Sequence, residues 1–293
     1  RQMCIRDRSK GNNTIQKDYF LPSLNLKYNL NDKNSFRLGA SKTYTLPQAK
    51  EISPYRYVGV NFNSQGNPNL KPSDNYNLDL KWDFNPTPTE LISLTAFYKL
   101  IKNPISRIEV ASAGGYLSYE NIADKATVAG VEIEIRKNLF VRPVSNAAHG
   151  MNKLSLGLNG SYIYTNAKMP LATVTTGSQL EGAAPWIVNF DLSHNFTKGE
   201  RSFVNTLVLN YVSDKIYTIG TQGYQDIMEQ GVLTLDFVSQ AKLNKHLSLN
   251  LKARNLLNPS YKLSRKANEN GEKVILNDYK KGINISLGVS CTF

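Results

Sequence analysis

The closing stretch of the chain constrains its fold more than any other. Ile283, Ile285, Leu287, Val289, Cys291 and Phe293 alternate without a break with Asn284, Ser286, Gly288, Ser290 and Thr292. Apolar residues spaced by two share one face of an extended strand and no single face of a helix. At roughly 3.3 Å per residue and a tilt near 45°, a strand of this length crosses about 25 Å of hydrocarbon. The segment predicts a spanning strand with one apolar and one polar face.

The same alternation recurs upstream. The apolar sets are Leu24, Leu26, Tyr28, Leu30; Phe36, Leu38, Ala40; Tyr76, Leu78, Leu80, Trp82, Phe84; and Ile92, Leu94, Ala96, Tyr98. Then come Val131, Ile133, Ile135; Leu154, Leu156, Leu158, Tyr162, Tyr164; Trp186, Val188, Phe190, Leu192; Phe203, Leu207, Leu209, Tyr211; Leu233, Leu235, Phe237; and Leu247, Leu249, Leu251, Ala253. With the terminal segment these make eleven expected strands. No stretch approaches the roughly 18 apolar residues of a spanning helix, which excludes a helical membrane protein. The mean hydropathy of -0.37 suits a soluble protein and a barrel alike, because lipid-facing and lumen-facing residues cancel in the average. A soluble sandwich has strands of about five or six residues and charged exposed faces. Here one face is small and polar and the other almost uncharged.

Connection lengths give the topology. Asn31–Ser35, Asn85–Leu91, Thr197–Ser202 and Asn244–His246 are short, whereas Thr45–Asn75, Leu100–Thr127, Thr165–Pro185, Val212–Val232 and Asn255–Gly282 are long. Short and long connections alternate, so they lie on opposite rims, as in outer-membrane barrels whose long loops face outward. Lys137–Lys153 is longer than its rim predicts. Aromatic residues gather near strand ends, at Tyr19, Phe20, Tyr44, Trp82, Phe84, Phe97, Tyr98, Tyr162, Tyr164, Trp186 and Tyr211, the expected place for interfacial girdles.

Other chemistries find little support. The net charge of +12 is scattered through strands and turns rather than gathered in a run or stripe, so no nucleic-acid partner is expected. Cys4 and Cys291 form neither a metal spacing nor a disulfide framework. His149, His194 and His246 lack HExxH-like spacing, and Gly157 and Gly160 precede no helix pattern that would make them a phosphate loop. The glycines read as close packing of the wall. Asp79, Asp83, Glu132, Glu134, Asp191 and Asp236 fall on the polar face and read as a solvated lumen wall. No catalytic, metal or cofactor residues are expected. Arg1–Arg8 (RQMCIRDR) carry charge without the apolar stretch and cleavage site of a secretory signal. They resemble translated sequencing adapter and are read as non-native, with the domain at residues 9–293 and the true N-terminus expected upstream.

Gln65–Pro72 (QGNPNLKP), leading into Asn75–Phe84, resembles the GNPNLKPE signature of TonB-dependent receptor barrels. Read alone it is a turn, since Gly66, Asn67, Pro68 and Asn69 suit a tight bend. Its neighbours also match in order: Phe97-Tyr98-Lys99, Lys102-Asn103-Pro104-Ile105, Tyr119-Glu120-Asn121 and Gly130-Val131-Glu132. Pro185–Asn189 (PWIVN), Leu235-Asp236, Arg254–Asn258 (RNLLN) and the closing Phe293 follow. Ser73 stands where the family often has Glu, and Leu46-Pro47 where it often has Arg-Pro. The resemblance covers roughly Tyr19 to Phe293.

That resemblance implies an all-β, antiparallel transmembrane β-barrel, of which this chain is the C-terminal half, about eleven strands of a roughly twenty-two-stranded barrel around a plug. It implies energised uptake of a scarce nutrient such as a siderophore, vitamin, glycan or peptide across the outer membrane, and no enzyme. Its partners would be outer-membrane lipid and lipopolysaccharide, a plug domain upstream in the same chain, the TonB complex contacted through a missing N-terminal region, and the barrel assembly machinery. An ungated porin or adhesion-type barrel is the alternative, and a plug upstream separates the two. The ligand-binding residues stay open.

Phe293 ends the chain in phase with Val289 and Ile285, and a terminal aromatic resembles the signal that marks barrels for assembly. Deleting Phe293 from the complete receptor should lower the amount inserted in the outer membrane while leaving the thermal stability of the inserted fraction almost unchanged. Normal insertion with slightly reduced stability would instead mark an ordinary interfacial side chain, for which a loss of about 1–3 kcal/mol is expected.

Overall fold

The computed structural model describes residues 18–111, 115–144, 150–169, 178–267 and 271–292. In chain order the elements are β1 (Ser23–Asn29), β2 (Asn34–Thr45), α1 (Ala49–Ile52), β3 (Arg56–Tyr57), β4 (Ser64–Gln65), β5 (Ser73–Phe84), β6 (Leu91–Lys102), β7 (Ile105–Val110) and β8 (Tyr116–Asn121). They continue as β9 (Lys125–Pro143), β10 (Met151–Ala167), β11 (Trp186–Lys198), β12 (Arg201–Val212), β13 (Lys215–Thr218) and β14 (Ile227–Glu229). The last are β15 (Val232–Lys242), β16 (Leu247–Arg254), β17 (Ser260–Lys266), β18 (Lys273–Lys280) and β19 (Asn284–Cys291).

Eleven of these strands form one antiparallel wall in the order β1-β2-β5-β6-β9-β10-β11-β12-β15-β16-β19. They are the eleven expected from alternation. The wall does not close on itself among the described residues, and β1 and β19 are its two edges. Several strands have 12 residues, enough to cross about 25 Å at the usual tilt. β19 is shorter than the alternation predicts, at 8 residues. Its ladder nevertheless continues, since Thr292 N donates to His246 O at 2.9 Å. Phe293 lies outside the described residues.

Register pairs apolar with apolar across ladder after ladder. Leu26 faces Leu38, Leu38 faces Leu80, Leu94 faces Ile133, Leu192 faces Leu207, Leu207 faces Phe237, and Leu251 faces Leu287. A belt of exposed apolar side chains results, including Leu80, Leu94, Val131, Ile133 and Leu287. So large an apolar surface is stable only against lipid or another apolar partner.

Two levels of aromatics bound the belt. Near the long connections lie the stacked pair Tyr19–Tyr44, at 4.0 Å between ring centroids, and the pair Tyr162–Trp186, at 4.6 Å. Near the short turns lie Trp82–Phe84 and Phe196–Phe203. Phe97 does not belong to either level. It alternates to the other face and packs over Gly130, where an added Cβ would come within 2.5 Å of Phe97 Cζ.

The inner face is polar and cross-bonded. Asn77 Nδ2 donates to Ser41 Oγ and Thr43 Oγ1, Asn159 Nδ2 donates to Glu132, and the amide of Asn189 links Asn159 with Asn210. Asp83 is buried rather than solvated, with Arg37 at 3.6 Å and Lys81 at 3.4 Å. Gly157 makes room for the Asp191 carboxylate, since a Cβ there would sit 2.1 Å from Asp191 Oδ1. Gly160 faces outward with only an ordinary contact to Ile133, so close packing explains the first glycine and not the second.

The short turns are held by local caps. Asn31 Oδ1 accepts from the backbone of Lys33 and Asn34, and Asn244 Oδ1 accepts from His246 and Leu247. The connection that looked too long is mostly strand. Pro143 pairs with Met151 and Arg142 with Asn152, beyond a bulge near Leu139. The bulge shifts the alternation by one residue, which is why the extension was not visible as a periodic segment.

Parity places Leu287 on the apolar face and Ser286 on the polar one. In the complete barrel, Leu287→Arg should cost about 2–4 kcal/mol if it lies near the bilayer midplane, and Ser286→Arg much less. Equal costs in unfolding titrations would reverse the assignment of faces.

Candidate functional site

Four of the five long connections, all but Thr165–Pro185, carry two short strands each. These eight strands form two four-stranded sheets, β3-β4-β8-β7 and β13-β14-β17-β18. The sheets meet where Ile108 bridges Ile219, with Glu109 N donating to Ile219 O at 3.0 Å and Ile219 N donating to Arg107 O at 3.0 Å. Beneath the seam Ile108, Ile122, Ala126, Leu180, Ile216 and Ile219 form a buried cluster. Alternation did not reveal these strands, because segments of two to eight residues paired across distant loops carry too little periodicity.

The family-like motifs converge at the base of this layer. Asn121 Nδ2 donates to the carbonyls of Lys71 and Asn103, while its Oδ1 accepts from Lys71 N at 2.8 Å. Asn67 Nδ2 reaches Tyr119 O, and Ser73 Oγ reaches Asn103 O. Asn103 adopts a φ of 51°, a left-handed conformation that asparagine tolerates better than most residues. Gly66 is pressed against Ser53, Lys50 and Glu51, whose carbonyls would lie 2.4–2.7 Å from any Cβ. QGNPNLKP, KNPI and YEN therefore form one knot that ties two loops to the wall. A second knot joins Leu235-Asp236 to RNLLN. Asp236 Oδ1 accepts from Asn255 N, Asn255 Nδ2 donates to Gly282 O, and Leu256 N donates to Leu235 O. These motif residues serve architecture.

Charged and aromatic side chains of the loops gather at the seam above. Glu181 accepts from the Arg107 backbone N at 2.6 Å and from its guanidinium at 2.8 Å. The guanidinium also donates to Tyr217 O and stacks 3.9 Å from the Tyr217 ring centroid. On the far side of the bridge, Glu109 pairs with Arg265, which lies over the Tyr224 ring. Burial holds the Glu181 carboxyl above the ordinary carboxylate range, and the hydrogen bonds and charge of Arg107 draw it back only in part. Burial likewise raises the Tyr119 hydroxyl, against the nearby Arg107 charge, and lowers Arg265.

A cavity of about 240 Å³ opens beside this cluster, lined by Lys50, Phe62, Arg107, Tyr119, Tyr217 and Asn277 among others. It combines cations, ring faces and hydroxyls. A larger hollow of about 690 Å³ lies along the inner wall, with Lys27, Arg37, Asp79, Lys81 and Glu132 on its lining. Of the loop residues named on the seam cavity only Tyr119 stood out in the sequence, as part of Tyr119-Glu120-Asn121, because lone arginines and tyrosines in long loops carry no spacing signal.

Asp79, Asp83, Glu132, Glu134, Asp191 and Asp236 all lie on inward positions of the wall. The histidines do not converge. His194 Nε2 lies 2.8 Å from Asn152 Oδ1 on the outward face, His246 Nδ1 meets Thr292 O, and His149 is outside the described residues. Among the described residues no group of three or more His, Cys, Asp or Glu could hold a metal.

Residues 5–256 match the family described as TonB dependent receptor-like, beta-barrel. The chain belongs to this family. It is therefore a protein of the cell outer membrane, from a family of transport receptors. An iron-regulated outer membrane virulence protein of Vibrio cholerae is 25% identical over 228 residues, covering 74% of this chain and 32% of its own length. This chain thus spans about a third of that relative. Among solved structures, a mutant ferric enterobactin receptor from Pseudomonas aeruginosa in complex with enterobactin superposes with a TM-score of 0.57 at 16% identity, over 93% of this chain and 40% of that one. The ferric yersiniabactin uptake receptor of Yersinia pestis gives a TM-score of 0.59 at 16% identity, over 93% and 37%. At such identity these superpositions show the fold alone.

The raised Glu181 carboxyl has a directional consequence. A group that binds its proton more tightly folded than unfolded loses its stabilising contribution as pH rises from the ordinary carboxylate value through its raised value. Protection of the Glu109 and Ile219 amides against hydrogen exchange, corrected for intrinsic rates, should fall across that window in the complete receptor. Glu181→Gln should flatten the dependence. An unchanged slope would remove Glu181 from the seam.

Proposed function

We propose that this chain forms half of the wall and part of the ligand-gathering loop layer of a receptor for a ferric siderophore, with uptake energised through TonB. One observation carries the reading. The seam cavity presents Lys50 and Arg107 beside Phe62, Tyr119 and Tyr217, a set that matches an anionic chelate built on aromatic rings through charge and ring stacking. The names of the Vibrio cholerae relative and of the solved siderophore receptors support iron as cargo. The chain's own chemistry is binding and passage, with no bond made or broken.

A plug upstream in the same protein would fill the lumen, and the TonB complex would displace it through a segment preceding that plug. Insertion would depend on the barrel assembly machinery. An ungated porin needs neither plug nor energy, so energy dependence separates the two readings.

In iron-starved cells carrying the complete gene, uptake of radiolabelled iron offered as an anionic catecholate chelate should stop when the gene for TonB is deleted or the proton gradient is collapsed. Lys50→Gln with Phe62→Ala should weaken chelate binding at least tenfold, at unchanged receptor abundance. Uptake that survives loss of the gradient would favour the porin, and unchanged binding would move the ligand away from this cavity.

A further inference from the structure

Among the described residues Thr165–Pro185 is the long connection that adds no strand to either loop sheet, yet it places a carboxylate in the seam. The backbone is pinned on both sides of Glu181. Leu180 is buried in the apolar cluster and its N donates to Thr165 Oγ1 at 3.1 Å, while Gly182 N donates to Ile216 O at 2.9 Å. Gly182 turns the chain with a φ of 77°, which glycine adopts without steric strain. Fixed backbone, not a loose loop, therefore delivers the Glu181 side chain.

That side chain covers donors of the cavity. Glu181 Oε2 accepts from Arg107 N at 2.6 Å and Oε1 from Arg107 Nη2 at 2.8 Å, so one carboxylate bridges the backbone N–H and the guanidinium of a single residue. Tyr217 O accepts from Nε and Nη2, and the Tyr217 ring stacks on the guanidinium. Arg107 is thus held from the Tyr217 side independently of Glu181, and its donors form a preformed anion site. Burial disfavours the charge of Glu181, and so does the nearby charge of Glu51. Lys50, the other cation on the cavity lining, lies one residue before Glu51 in the chain.

We propose that Glu181 is an internal competitor for the ligand: in the empty receptor its carboxylate occupies Arg107, and an anionic group of the chelate displaces it. The contact is autoinhibitory. Because Glu181 is tethered, its effective concentration at Arg107 is high. A simple anion from solution offers Arg107 the same charge-assisted bonds as Glu181 and little else, so it leaves the site empty. A chelate that also engages Lys50 and the rings of Phe62, Tyr119 and Tyr217 has affinity in reserve and completes the exchange. Glu181 lowers the affinity of both anions by one factor and so sets the threshold for occupancy. This role rests on the reading of the cavity as the chelate site.

The test uses the complete receptor in neutral detergent, with a hexadentate ferric tris-catecholate as the chelate and iron-free 2,3-dihydroxybenzoate as the simple anion. E181Q should bind each of them about fivefold tighter than wild type, as expected when the binding-competent fraction rises. E181A takes its place if E181Q does not insert. E109Q, which breaks the ion pair on the far side of the seam, should bind both within about twofold of wild type. Infrared difference spectra of the wild type should show a carboxylate band that shifts when the chelate binds. An equal gain in E109Q, no gain in the Glu181 variants or no carboxylate shift would overturn the proposal. Lys50→Gln with Phe62→Ala separates the two readings. Chelate binding unchanged by that pair removes the cavity and the role of Glu181 with it. Binding weakened by the pair but not tightened by E181Q overturns the role of Glu181 alone.

Discussion

Every backbone N–H and C=O that crosses hydrocarbon must find its partner within the protein, because lipid offers none and each unsatisfied group costs several kcal/mol. The rest of this structure follows from that requirement. It forces strands of 7 to 19 residues into one unbroken ladder from β1 to β19, and it forbids either edge from facing lipid unpaired. The wall must therefore continue into further strands on both sides. The family relatives, of which this chain spans about a third, have the length to supply them.

Once the ladder is fixed, side chains have two environments and no third. Outward positions carry Leu, Ile, Val and aromatic rings in matched register, while inward positions carry Asn, Ser, Asp and Lys that bond to one another across strands. The exceptions locate the limits of the membrane. On the outward face, charge appears at Lys42, Lys102 and Lys125 above the belt and at Lys198 and Arg201 beside the short turn below it. Long cationic side chains are tolerated there because their stems stay in apolar surroundings while the ammonium or guanidinium reaches the interface.

Period two survives lipid exposure intact, which is why the wall strands from Leu24 to Val289 were legible in the sequence. A one-residue bulge was enough to hide the end of the β9–β10 hairpin, and Phe97 was misplaced because aromatic identity was read without its parity. The loop strands were not legible. β3 and β4 are two residues each, and β7 meets its neighbour at Ile219, across more than a hundred residues of chain. Motifs such as YEN and RNLLN could be recognised, but their work could not. It consists of hydrogen bonds from Asn121 and Asn255 to carbonyls supplied by other segments, and only three-dimensional placement shows that.

The two halves of the structure consequently differ in what holds them. The wall is a continuous backbone ladder, in which opening one strand exposes a whole row of polar groups to lipid. The loop layer is joined across its seam by two backbone hydrogen bonds, side-chain bonds from Arg107 to Tyr217 O and from Thr221 to Glu109 O, the Arg107–Glu181 and Glu109–Arg265 pairs and a small apolar cluster. Water can replace those polar contacts at modest cost, since a typical hydrogen bond contributes only about 0.5–1.5 kcal/mol net. Rearrangement on ligand capture is therefore far cheaper in the layer than in the wall. The asparagine knots set the boundary between the two regimes. By tying β5, β6 and β9 to the loops through Asn103 and Asn121, they let the seam above them move while the register below stays fixed.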